Sequence, residues 1–174
     1  MVARLADSEL YAHLWATAEL RAIFDEQARL QSWLDILAAL ARAQARVGII
    51  PAESAAAITE AARVERIDLE YAAAETRATS HSTLGVIHAF QRILPQPARE
   101  HVYLGATVQD ITDTWTSLAL RRVGAIVWRD LRLVELRLLD LAERHRADIM
   151  VGRTHGQPGA PITFGFKAAS WADE

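Results

Sequence analysis

Three short stretches of this 174-residue chain combine residue types that can do chemistry. In Gly152-Arg153-Thr154-His155-Gly156-Gln157 one imidazole lies between glycines, with a guanidinium, a hydroxyl and a carboxamide beside it. A histidine held in this way can act as a general acid, and Arg153 can anchor the loop or bind an anion. Loops with this many special residues usually carry function; the plain alternative is a solvated surface histidine. The second stretch, Gly105-Ala106-Thr107-Val108-Gln109-Asp110, stands directly before the longest helical pattern. A helix start offers unpaired N–H groups and partial positive charge, which favour a carboxylate, and the Thr107 hydroxyl adds a donor. Thr107 and Asp110 also have the spacing of a capping box, which needs no ligand and is the preferred reading of that segment alone. The third stretch is Thr79-Ser80-His81-Ser82-Thr83, where small hydroxyls beside a histidine could meet a polar substrate edge. There Ser82 as a helix N-cap, preceded by His81, is the preferred explanation. His13, His88, His101 and His145 read as surface or helix-lining residues. No histidine pair or carboxylate cluster has metal-ligand spacing and no glycine run forms a phosphate loop, so neither metal nor cofactor is expected.

The elements that must hold these stretches are helical, with strand alternation nearly absent. Thr17 is a candidate N-cap for a helix carrying Ile23, Phe24, Leu30, Trp33, Leu34, Leu37, Leu40 and Ala41, stopped by Gly48 with Pro51 beyond. Pro51 can open a short alanine-rich helix. Asp68 can cap another through Ala78, and a further one spans Ser82 to Leu94, ended by Pro95 and Pro97. From Val108 to His145, Leu120, Val123, Val127, Leu131, Val134, Leu138, Leu141 and His145 recur at steps of three and four. Trp115, Ile126, Leu133 and Leu136 lie off that seam and are apolar too, so this helix needs cover on more than one side, as in the middle of a bundle. The run Met150 to Pro161 holds three glycines and two prolines without a period and reads as a loop. A new helical pattern starts near Thr163 and is still running at Glu174, so the expectation is a fragment.

Composition narrows the function classes. With 51% hydrophobic residues the chain can build a core, and a formal charge of −3 gives no bias toward nucleic acid or an anionic membrane. Cysteine is absent, which removes disulfides and thiolate metal sites. The N-terminal residues show no apolar run of signal-peptide length and no segment could span a bilayer, so a cytoplasmic protein is the default expectation.

Taken in order, the three stretches resemble those of the fumarase/aspartase superfamily, and among its members adenylosuccinate lyases. MVGRTHGQPGAPITFGFKAASWADE resembles their GRTHGQ segment and the TFG-x-K that follows it; LGATVQDITDT resembles G-x-TS-x-D-x-x-DT; TSHS sits where they carry a threonine and then His-Asp. Arg4 and LWATAELRAIFDE also have counterparts, so the likeness covers essentially the whole chain. The resemblance implies an all-α fold, with residues 1–105 as an N-terminal helical domain and 106–174 as the start of a central helical bundle. It implies β-elimination of fumarate by C–N bond cleavage, with His155 as general acid, Thr107 holding a substrate carboxylate, and His81, Ser80, Gln157 and Arg4 lining the site. It further implies a dicarboxylate substrate, no cofactor, and a homotetramer whose sites are shared between subunits. The family's base is a serine in a mobile loop, and that loop's motif is not in these residues, so the fragment is expected to be inactive alone. Val108 stands where the family has serine and Ser82 where adenylosuccinate lyases have aspartate. Carboxymuconate cycloisomerases share the GATxQD segment but more often carry tryptophan in place of His155. A relative releasing fumarate from another substrate, and a non-catalytic helical assembly module, are the remaining alternatives.

Overall fold

The computed structural model describes residues 5, 8 and 10–174. Arg4 lies outside them. The chain is helical but for one two-stranded sheet: α1 (Ala18–Phe24), α2 (Glu26–Arg46), α3 (Ala52–Ala61), α4 (Leu69–Thr79), α5 (Leu84–Arg92), α6 (Ala98–His101), α7 (Val108–Arg144), β1 (Ile149–Thr154), β2 (Gln157–Thr163) and α8 (Phe164–Asp173). Its contacts divide it into two units, residues 1–122 and 123–174, and the division falls inside α7. Among the described residues no helix is long and apolar enough to cross a membrane.

Residues 1–122 carry the core. Side chains of α2 at helical spacing (Leu30, Trp33, Leu34, Leu37, Ala38, Ala41 and Gln44) are buried against Ile58 of α3, Phe90 of α5 and their neighbours. Fully burying an aliphatic or aromatic side chain of this kind stabilises by about 1.5–3 kcal/mol. The single helix expected from Thr17 onward is two. The Thr17 hydroxyl caps α1 by accepting from the Leu20 N–H, and then the Asp25 carboxylate caps α2 by accepting from the Ala28 N–H at 3.0 Å. Asp25 takes extended backbone angles, so an aspartate inside an otherwise unbroken apolar pattern supplies a new start rather than an exposed helical turn. Asp68 caps α4 through the Tyr71 N–H, as its position predicts, and Pro51 lies at the N-cap of α3, one residue before the helix.

α4 and α5 form a tight helical pair. A Cβ on Gly85 would lie 2.2 Å from the Ala72 carbonyl oxygen, so no larger residue permits this approach. Arg92 stacks over the Tyr71 ring and His88 Nδ1 lies 2.8 Å from Glu75 Oε2, which ties the pair along its length. Near the start of α7, Arg29 lies within 6 Å of both the Trp33 and Trp115 rings, and Phe24 meets Trp115 edge-on.

In residues 123–174 the pattern of burial is different. Gly165 and Ala168 are the only buried residues among those described in this unit. Trp128, Leu131, Leu133, Val134, Leu136 and Leu139 of α7 are all half exposed or more. The stretch from Met150 to Pro161, expected as a loop, is an antiparallel hairpin with Ile149 opposite Thr163 and Thr154 opposite Gln157. A register shift between Val151 and Arg153 interrupts the ladder. A bulge of this sort bends and twists a hairpin. Phe164 N–H donates to the Asp148 carbonyl, Gly165 N–H to the His145 carbonyl, and His145 Nδ1 lies 2.7 Å from Asp148 Oδ2, which closes the base of the hairpin on the last turn of α7. The Thr163 hydroxyl then caps α8 by accepting from the Phe166 N–H.

Candidate active site

Each stretch singled out from the sequence occupies a junction between elements. At the first, α4 ends on Ser80, whose φ of 54° is left-handed. His81 follows, and its ring Nδ1 accepts from the backbone N–H groups of Leu84, at 3.2 Å, and Thr83, at 3.4 Å. The imidazole, and not the Ser82 hydroxyl expected for the role, therefore caps α5. Ser82 is exposed, and the Thr83 hydroxyl is buried without a hydrogen-bond partner. With Nδ1 accepting, the ring proton belongs on Nε2, which leaves His81 as a donor on its outer edge.

The second junction is the start of α7. Tyr103 and Gly105 both have positive φ, 67° and 70°, and the segment is held from beneath by buried Gln44, whose Nε2 donates to the Leu104 carbonyl at 2.7 Å. Sequence reasoning passed over Gln44, although a glutamine at a core position of an apolar helix is itself a signal. The capping box is present in its carboxylate half: Asp110 Oδ2 accepts from the Thr107 N–H at 2.8 Å. Thr107 is exposed, and its backbone donor is engaged by Asp110.

The third junction is the tip of the hairpin. His155 and Gly156 are the two residues between paired Thr154 and Gln157, with φ of 51° and 74°. Two successive positive φ values are what a two-residue type I′ turn requires, and its backbone twist matches that of the strands it joins. Glycine meets this demand freely; histidine is among the few other residues that enter the left-handed region. The imidazole is thus raised at the apex of a fixed turn, exposed, with Arg153 and Thr154 ending one strand and Gln157 beginning the other. Between hairpin and α8 runs a groove of about 710 Å³ bordered by Arg153, Thr154, Lys167, Ser170 and Trp171; neither His155 nor Gln157 lines it.

Ser80, His81 and Thr107 belong to residues 1–122, and His155 and Gln157 to 123–174. Within the first unit no hydrogen bond joins Ser80 or His81 to Thr107 among the described residues. No group of His, Asp and Glu among the described residues could hold a metal ion.

The family model described as lyase matches residues 15–174. The chain belongs to this lyase family, within the fumarase/aspartase superfamily. Across all 174 residues it is 40% identical to the N-acetyl-S-(2-succino)cysteine lyase of Dickeya dadantii, covering 38% of that protein. Over 160 residues, 92% of the chain, it is 41% identical to the adenylosuccinate lyase of Pyrococcus horikoshii, covering 35% of it. The crystal structure of β-carboxy-cis,cis-muconate cycloisomerase from Acinetobacter calcoaceticus superposes on 95% of the chain and 39% of its own, with a TM-score of 0.89 and 34% identity. The chain thus spans less than two fifths of the length of these lyase-family relatives. The fold is that of an all-α member of the family: a helical N-terminal part followed by the first long helix of a central bundle.

Proposed function

We propose that the protein carrying this chain releases fumarate from a 2-substituted succinate by β-elimination. The observation that carries this reading is His155, an imidazole held at the apex of a type I′ turn within the residues that the lyase family model matches. In such a reaction a base takes a proton from the carbon beside one carboxylate, that electron pair forms the C=C bond, the bond to the heteroatom breaks, and the departing heteroatom takes up a proton. His155 donates that last proton. The Thr107 hydroxyl and the free N–H groups at the start of α7 hold a substrate carboxylate. Because Asp110 already engages the Thr107 N–H, the grip falls on the hydroxyl and on the next donors along the helix. His81 offers its Nε2 proton to the same dicarboxylate, with Ser80, Gln157 and Arg4 as polar neighbours. The base is a serine on a loop outside these residues, and the site is completed by other subunits of a homotetramer. In this reading residues 1–105 are the N-terminal domain and 106–174 open the bundle.

The finer reading is C–N cleavage of adenylosuccinate, a cytoplasmic step of purine nucleotide synthesis. A second reading, in which sulfur leaves from a succinylated cysteine, is favoured by two observations. One is the 40% identity to the succinocysteine lyase across the whole chain. The other is that Val108 and Ser82 stand where, by the sequence resemblance, adenylosuccinate lyases carry serine and aspartate; a substrate group left without its partner when it is bound and desolvated costs about 1–3 kcal/mol, enough to change substrate preference. Fumarate release by the full-length protein, followed by its ultraviolet absorbance, separates these readings when adenylosuccinate and N-acetyl-S-(2-succino)cysteine are offered in turn. Release from neither, with consumption of 3-carboxy-cis,cis-muconate, would overturn both in favour of a cycloisomerase. In the active protein His155→Ala is expected to lower kcat by roughly 10²–10⁴ with little change in KM. An unchanged kcat would remove His155 from the acid's role.

A further inference from the structure

A second groove, of about 750 Å³, lies in residues 1–122 between α2 and α3, and no residue given a catalytic or binding role above lines it. Its floor and walls include five alanines, and its large groups are Arg42, Arg46 and Arg63, with Thr59 and Glu60. Arg42 and Arg46 are one helical turn apart on α2, while Arg63 stands just past the end of α3. All three are exposed, and none forms an ion pair with a carboxylate among the described residues. The partner of Arg42 is a neutral hydroxyl, Thr59 Oγ1, at 3.3 Å. Three guanidinium groups and one carboxylate line the groove, so it is locally positive in a chain whose formal charge is −3.

From this arrangement we propose that the groove binds a small phosphorylated molecule, with its phosphate held by Arg42, Arg46 and Arg63. Guanidinium forks match phosphate oxygens in pairs and keep their charge at every physiological pH. The alanines leave room for an uncharged body of nucleoside size, since small-molecule sites commonly enclose about 300–1,000 Å³. Glu60 can accept from hydroxyl groups of that body. A protein helix is the poorer occupant, because an alanine floor has no deep socket for the large side chains that anchor such contacts. The site is independent of the elimination chemistry.

Isothermal titration of the full-length protein with inorganic pyrophosphate, AMP and adenosine tests the proposal. Pyrophosphate and AMP are expected to bind with Kd below about 1 mM, more weakly as salt rises, and adenosine at least about tenfold more weakly than AMP. The exposed pair of substitutions Arg42→Ala with Arg46→Ala is expected to lower affinity for both phosphates at least about tenfold while leaving fumarate release unchanged. Arg63→Ala should lower it by a smaller factor. Three results would overturn the site: phosphate binding that survives the double substitution, which places it elsewhere on the protein; adenosine binding as tight as AMP; or no saturable binding of either phosphate.

Discussion

Residues 1–122 and residues 123–174 both contain helices with leucine and tryptophan at helical spacing, yet they treat those side chains in opposite ways. In the first region α2 closes its apolar stripe against α3 and α5, and Leu34, Ile58 and Phe90 have no exposed surface at all. In the second, the part of α7 after Val123 leaves Trp128 at 67% exposure and Leu131 at 57%. The same residue types at the same helical spacing thus make a core in one place and an unsatisfied surface in the other. Apolar patches of that extent mark an interaction surface, and each exposed leucine forgoes about 1.5–3 kcal/mol of burial. The first region encloses a buried core; the second is joined by backbone hydrogen bonds, a helix cap and a hairpin clasp.

Substitutions can break or sharpen this contrast. The largest effect belongs to Phe90→Ala, which empties the centre of the first region and should cost about 3–5 kcal/mol in urea unfolding. A loss below 1 kcal/mol would mean that this core is not cooperative. Next comes Gly165→Ala, where the added Cβ would lie 2.5 Å from the Ala142 oxygen and from the Arg146 Cα. The strain should cost about 1–3 kcal/mol and show as faster amide exchange confined to residues 149–173. His81→Ala removes the side chain that caps α5 and should cost about 1 kcal/mol, with asparagine restoring most of it. A full effect of His81→Ala on activity with none on stability would deny the capping role. Smallest is Leu131→Ala, expected to change the unfolding free energy of the isolated 174-residue chain by less than about 0.5 kcal/mol. In the full-length protein the same substitution should weaken self-association in sedimentation, as the homotetramer reading requires.

The helices of the first region were legible because periodicity and caps agree: Asp68, Gly48 and the bounds of α7 fall within a residue or so of where the sequence puts them. Asp25 was not, because the apolar spacing continues across it and only a capping hydrogen bond reveals the break. The hairpin escaped for a different reason. Its strands are largely exposed, with only Met150, Gly152, Ile162 and Thr163 half-buried, so no alternation of apolar and polar residues marks them, and two prolines and three glycines between Ile149 and Thr163 imitate a loop. Its turn is His-Gly rather than the usual Asn-Gly or Asp-Gly. Of the candidate site, the three stretches were readable as residue types. What their backbone does with them was not: His81 capping α5 through Nδ1 is a local contact that no residue pattern marks, and Gln44 donating from α2 to the Leu104 carbonyl is a tertiary one.

The backbone at residue 155 sets stability against activity. Its positive φ is one that an L-side chain adopts at a cost, and glycine there would relieve the cost and tighten the hairpin. On the proposed chemistry that same change deletes the proton donor. A screen for thermal tolerance alone would drift toward His155→Gly and inactivity, and a histidine of opposite chirality placed there by chemical synthesis would keep both.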